Sequence, residues 1–173
     1  SQTKAQAELD VLNAHSPDLQ TIALRPHLVW GPGDTQLLER VVSRARAGKL
    51  LLIDGGYSLI DTTFVTNAAS AFAQAITATE NAYGLAHMVT NGQPRTVRET
   101  LAQITNAAGL PAPTRSVPFR AAIAAGYAAE VLWKNRKDEP PLTSFLVEQL
   151  ATAHWFDITR TKSLLNWDPV TSL

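Results

Sequence analysis

Residues 19–34 read LQTIALRPHLVWGPGD, and three features of this stretch decide the fold class. The run 19–25 is apolar with β-branched Thr21 and Ile22, and Pro26 follows it at once, so it reads as a short buried strand with a forced stop. Gly31, Pro32 and Gly33 form a turn cluster, and Asp34 stands where a carboxylate can accept hydrogen bonds from the first free amides of a helix. The pattern predicts a strand over 19–25, a turn, and a helix over 35–47 closed by Gly48. A strand handed to a helix through a short turn is the building unit of an α/β protein.

The same alternation continues downstream. A second apolar run at 49–53 ends in the turn signal Asp54-Gly55-Gly56, and 58–65 reads as extended. Thr66 or Asn67 then caps an alanine-rich helix to about Ala78, and 82–90 is another strand candidate in which His87 reads as a satisfied core residue rather than a base. Thr96 and Glu99 form a capping box, each able to satisfy the other's free amide, which predicts a helix to about Ala108.

From Leu110 prolines 111, 113, 118, 140 and 141 punctuate two helical stretches, 119–133 and 142–153. Residues 155–158 read as extended, Thr159 caps a last helix through Leu165, and Asn166-Trp167-Asp168-Pro169 ends it. The texture predicts an α/β portion over 1–109 and a mostly helical portion over 110–173. Upstream, Ala5, Leu9 and Leu12, and Ala7 with Val11, fall on helical spacing, so a helix is already running where the chain opens. Ser1 could cap it, but position four holds Lys4 in place of the usual Glu or Gln.

Composition excludes several classes of function. Of 173 residues, 45% are apolar and 17% charged, the mixture of a globular chain that can bury a core. Fifteen basic residues balance fifteen acidic ones, which leaves no basic field for nucleic acid. The densest cationic cluster, Lys134, Arg136 and Lys137 after Trp133, runs straight into Asp138 and Glu139 and reads as a solvated helix end. There is no cysteine, hence no disulfide or thiolate metal site, and the four histidines show no metal spacing. The longest apolar run, near 120–132, is broken by Gly126, Tyr127 and Glu130 and falls short of the roughly 20 residues of a membrane span. These features predict a soluble, cytoplasmic protein with no nucleic-acid and no membrane partner. No G-x-G-x-x-G phosphate loop is present, since Gly31-Pro32-Gly33 lacks the third glycine and carries a proline.

The order of motifs resembles the extended short-chain dehydrogenase/reductase family, in its branch of 3β-hydroxysteroid dehydrogenases and NAD-dependent epimerases and dehydratases. The resemblance rests on Lys4 followed by Ala7-Glu8, then Leu24-Arg25-Pro26, then Val29-Trp30-Gly31-Pro32-Gly33-Asp34. It continues through Ala47-Gly48-Lys49, through residues 61–69 (DTTFVTNAA), and through Glu139-Pro140-Pro141-Leu142-Thr143. It closes with Trp155-Phe156-Asp157-Ile158, Lys162 and residues 164–169 (LLNWDP).

The resemblance implies the last parallel strands and flanking helices of an extended Rossmann-type dehydrogenase, followed by a mostly helical substrate-binding subdomain. It implies a Y-x-x-x-K pair, of which Lys4 is the lysine and the tyrosine is the residue before Ser1, so that this chain is the back half of a dehydrogenase and inactive alone. Lys4 is then catalytic, lowering the tyrosine pKa, and also binds the nicotinamide ribose of NAD or NADP, whose main site lies in the missing N-terminal half. Pro26, His27 and Val29 line the nicotinamide side. The substrate pocket is implied between residues 31–42, residues 52–61 and the helices after Leu110. Trp30, Phe119 and Tyr127, with Ile123 and Trp133, supply an apolar lining for a hydroxyl or ketone substrate. The implied partners are that small molecule, the N-terminal half and a second copy, in a homodimer or larger assembly through residues 1–15 and the open edge of strand 19–25. A sugar-nucleotide epimerase or dehydratase fits the same motifs, and so does a non-catalytic binding or regulatory module on the same fold.

Overall fold

The computed structural model describes residues 2–134, 136, 140 and 142–172. Ser1 as a helix cap, the Lys137-Asp138-Glu139 helix end and the Glu139 and Pro141 positions of the proline motif lie outside the described residues. The chain runs α1 (Gln2–Asn13), β1 (Ala23–Pro26), β2 (Val29–Trp30), α2 (Leu38–Arg46), β3 (Leu52–Ile53), β4 (Leu59–Ile60), β5 (Thr63–Phe64) and α3 (Val65–Ala75). It continues with β6 (Ala86–Val89), β7 (Arg95–Thr96), α4 (Val97–Ala107), β8 (Ser116–Val117), α5 (Phe119–Trp133), α6 (Ser144–Ala151) and α7 (Thr159–Leu165). The mixed α/β class read from the alternating pattern is the class observed. Among the described residues no helix is long and apolar enough to cross a membrane.

The chain divides into two compact units that interleave in sequence. One takes residues up to Pro32, Asp61–Gln93 and residues from Phe156; the other takes Gly33–Ile60 and Pro94–Trp155. The 109/110 boundary drawn from sequence texture falls inside the second unit, just after α4.

In the first unit β1 pairs in parallel with β6, Ala23 opposite Ala86 and Pro26 opposite Val89, and β2 pairs in parallel with β5. The strand predicted at 19–25 is shorter and shifted, and it includes Pro26. The reason is register. The Ala23 and His27 amides donate to the Leu85 and Val89 carbonyls, so the nitrogen of Pro26, one position off this alternation, faces away from β6 and no ladder bond is lost. Behind the strands α3 and α7 close a core of Ala71, Ala75, Ala82, Val89, Ile158, Leu165 and Trp167. The Trp167 indole donates to Ser70 Oγ at 2.8 Å. The predicted Thr66 or Asn67 cap is corrected: Phe64 is the capping position, and Asn67 is buried inside α3. Its Oδ1 accepts from the Val170 and Thr171 amides and its Nδ2 donates to Asn91 Oδ1 and the Thr171 carbonyl, tying residues 170–171 to the helix. Likewise Ile158, not Thr159, is the capping position of α7, the Thr159 amide donating to Asp157 Oδ1, and residues 155–158 form no strand. His87 is buried with Nε2 2.9 Å from the Ala82 carbonyl, as a core histidine should be.

In the second unit β3 pairs in parallel with β8, and β4 pairs antiparallel with β7. Asp34 accepts from the Gln36, Leu37 and Leu38 amides, so the chain turns through 35–37 before α2 begins at Leu38 rather than Thr35. The Thr96–Glu99 capping box is fully formed at α4. Val41, Leu52, Val97 and Leu101 make one core cluster, while Ile53, Ala122 and Val147 make another under the α5–α6 hairpin. That hairpin depends on Gly126, where a Cβ would stand 2.8 Å from the Ser144 amide nitrogen. The side chains of Thr143 and Glu130 close the α6 N-terminus, accepting from the Leu146 and Ser144 amides.

Candidate functional site

Each predicted site residue has a definite local setting. Lys4 is exposed on α1, a helix with no buried residue of its own. One turn later the Glu8 carboxylate accepts hydrogen bonds from Nε and Nη2 of Arg25 on β1, which fixes α1 against the strand. The hydrogen bond from Arg25 holds the Glu8 carboxyl below its ordinary value, and Glu8 raises Arg25 in turn.

Pro26, His27, Val29 and Trp30 lie on the β1–β2 segment of the same unit. At Leu28, between the strands, the backbone is left-handed with φ 42°, a conformation costly to a leucine. The His27 amide donates to the Val89 carbonyl (3.1 Å). The Thr63 hydroxyl lies 2.6 Å from the His27 carbonyl and 2.9 Å from that of Val89, and the Thr63 amide donates to the Leu28 carbonyl at 3.2 Å. The His27 ring meets Phe156 edge-on with centroids 5.0 Å apart. Trp30 is pinned twice. Its indole donates to Thr62 Oγ1 at 3.1 Å and its ring packs edge-on against Phe64. Gly31 follows because Val65 Cγ1 would stand 2.5 Å from any Cβ there.

A buried polar row behind this segment escaped the sequence reading. Asp61, Thr62 and Thr63 are all fully buried; Asp61 Oδ2 accepts from Thr90 Oγ1 at 2.7 Å and its Oδ1 from the Thr62 amide at 3.0 Å. Asn91 donates its amide to the Thr62 carbonyl and accepts from the Phe64 amide. The available signal was three consecutive polar residues inside an extended run, where a half-buried strand should alternate.

Phe119 and Tyr127 sit on α5, in the second unit, and do not share a role. Phe119 opens the helix with its amide donated to Asp54 Oδ1 (2.8 Å) and packs against the cluster of Ile53, Ala122 and Val147. Tyr127 is 55% exposed, and Val131 and Leu132 beyond it are 74% and 70% exposed. Of the other lining candidates, Ile123 also packs on that cluster, and the Trp133 ring lies under the Arg136 guanidinium at 4.3 Å. Among the described residues no group of histidines and carboxylates is arranged to hold a metal ion.

The sequence profile of the 3-beta hydroxysteroid dehydrogenase/isomerase family matches residues 1–119. The chain belongs to this family. Family relatives include the 2-alkyl-3-oxoalkanoate reductase of Stenotrophomonas maltophilia, 40% identical over 99% of this chain and 53% of the relative. In fold the family member resembles an epimerase of Methanothermobacter thermautotrophicus, with a TM-score of 0.69 at 20% identity over 98% of this chain and 45% of that one. It also resembles the UDP-glucuronic acid 4-epimerase of Bacillus cereus in complex with NAD, with a TM-score of 0.60 at 15% identity over 90% of this chain and 41% of that one. At these identities the two structures show the fold alone. The chain spans about half the length of the relatives it matches.

Proposed function

We propose that this chain is the substrate-binding part of an NAD(P)-dependent reductase acting on the ketone of an alkyl-bearing oxo acid, with hydride transfer completed only in the longer protein. The observation that carries this reading is the face of α5. A helix that leaves Tyr127, Val131 and Leu132 in solvent carries the apolar surface an alkyl chain needs, and a sugar nucleotide has no use for it. The 40% identity to a 2-alkyl-3-oxoalkanoate reductase supports the same substrate class.

The residues present fit one end of a nicotinamide cofactor. An exposed ammonium on Lys4 suits ribose hydroxyls, and the rigid backbone of residues 26–29 suits a planar ring. Nothing in the chain offers the glycine-rich loop that a pyrophosphate requires. When bound, the cofactor supplies the hydride that reduces the ketone. The Lys4 ammonium would keep a phenol placed one helical turn from it able to give its proton to the substrate oxygen. Residues 26–29 orient the ring.

Reduction of a 2-alkyl-3-oxoalkanoate by the full-length protein, followed through NADPH or NADH absorbance, tests the reading. Turnover is expected, together with a fall of about a hundredfold or more in the Lys4→Met variant. Turnover of a nucleoside-diphosphate sugar in its place overturns the substrate class. Near-normal rates with Lys4→Met overturn the role of the lysine. The chain by itself should show no binding of NADH or NADPH by calorimetry, and micromolar binding contradicts the division of labour.

A further inference from the structure

We infer that Thr63 is a positioning residue whose hydroxyl holds the His27–Leu28 peptide in its left-handed turn, and thereby sets the backbone that faces the nicotinamide. The inference rests on the assignment of residues 26–29 to the nicotinamide side.

Leu28 is not a residue that selects this geometry. Glycine adopts φ > 0 freely and Asn or Asp adopts it with local help, but leucine does so only under constraint. Burial of its own side chain is no such constraint, because Leu28 is 40% exposed and Val29 44% exposed. The constraint comes from the two carbonyls that flank residue 28. The His27 carbonyl is held by the Thr63 hydroxyl and the Leu28 carbonyl by the Thr63 amide. The same hydroxyl reaches the Val89 carbonyl, which itself receives the His27 amide, so one buried side chain joins the ends of β1 and β6 at the turn.

Thr63 is in turn held from behind. Asp61 and Thr90 bond to each other, and Asn91 bonds to the Thr62 carbonyl and the Phe64 amide. A valine at position 63 keeps the β5 pairing and the shape, and removes only the hydroxyl. Strained backbone enforced by its surroundings, next to a ligand surface, is how a protein stores pre-organisation.

The test uses the full-length protein with Thr63→Val, Thr63→Ser, Leu28→Gly and the Thr63→Val/Leu28→Gly double variant. Measured are kcat and KM with NAD(P)H, affinity for ADP-ribose, which lacks the nicotinamide ring, and amide hydrogen exchange across residues 26–30. Thr63→Val is expected to lower kcat about tenfold while ADP-ribose affinity stays within about twofold, and to speed exchange at His27. Thr63→Ser, which keeps the hydroxyl, should behave as the parent. Adding Leu28→Gly to Thr63→Val should recover most of kcat, because glycine re-enters the left-handed turn without help. A purely structural role for Thr63 predicts no such rescue. The inference is overturned by an unchanged kcat in Thr63→Val, by a loss that Leu28→Gly does not restore, or by ADP-ribose affinity that falls in step with kcat. If the parent protein transfers no hydride, the nicotinamide-side assignment fails and the cofactor half of the inference falls with it. The exchange measurement then still decides whether Thr63 holds the turn, and equal exchange in Thr63→Val and the parent overturns that half too.

Discussion

The buried polar row of the first unit and the α5 face of the second use polarity in opposite ways. The first buries Asp61, Thr62, Thr63, Asn67, Thr90 and Asn91 almost completely, while α5 of the second leaves Tyr127, Val131 and Leu132 exposed. Burying a polar group is tolerable only where it is hydrogen-bonded, and those of the first unit bond mainly to one another and to backbone. Such a network gives little net stability and much geometry, because each bond dictates where a backbone segment lies. Exposed apolar surface has the opposite character. It fixes no geometry and lowers its free energy only when something covers it. The row holds a backbone still, and the face keeps a surface available.

The largest effect should come from disturbing the α5–α6 contact on which the exposed face is mounted. Gly126→Val places side-chain atoms against the Ser144 and Thr143 backbone and should cost about 3 kcal/mol, read as a lowered urea midpoint. A wild-type midpoint would mean that the hairpin packs more loosely than its geometry states.

Next is the buried network. Asp61→Ala leaves the Thr90 hydroxyl proton and the Thr62 amide without an acceptor and should cost about 2 kcal/mol, whereas Asp61→Asn keeps an acceptor oxygen and should cost less. Equal losses for the two substitutions would show that the charge, rather than the hydrogen bonds, matters at this position.

Smaller again are the helix caps. Thr96→Ala should remove about 1 kcal/mol. Among the described residues, four carboxyls are held below their ordinary values. For Glu8 the Arg25 hydrogen bond outweighs all else; for Asp34 the burial that opposes ionisation is overcome by the Leu37, Gln36 and Leu38 amides. Glu99 is held by the Thr96 amide and hydroxyl, and Asp157 by Thr159. A depressed carboxyl contributes its stability above the unfolded-state value, near pH 4, and loses it as pH falls through the lower folded value. Acid titration followed by circular dichroism should therefore show stability constant from neutral pH down to about 4 and declining below it.

The smallest change in stability, within about 0.5 kcal/mol, is expected for Val131→Ser with Leu132→Ser, since both side chains already face solvent. The same pair of substitutions should weaken binding of long-chain substrate in the full-length protein while sparing a short-chain analogue. A large loss of stability there would show that the longer protein itself covers α5, and the contrast between the polar row and the α5 face would dissolve.

Much of this was legible in the residues, and the pattern of success is physical. The capping box at Thr96 and Glu99 and α5 over 119–133 follow from contacts within a few positions of the chain, and both formed as read. The family was legible too, because motif order survives where single motifs are weak. Lys4, Pro26, His27, Val29 and Trp30 could be singled out by that order.

Sequence alone determined the α/β class, the capping box at Thr96 and Glu99 and the extent of α5. Only the tertiary structure decided that Pro26 lies within a strand, that Asn67 serves residues 170–171 instead of a helix end, and that Leu28 is forced left-handed by Thr63. The reason is sequence distance. A cap or a helical stripe is a bargain among neighbours a turn apart, but residues 36 or 104 positions away meet only after the chain has folded, and at Leu28 their hydrogen bonds outweigh the local preference.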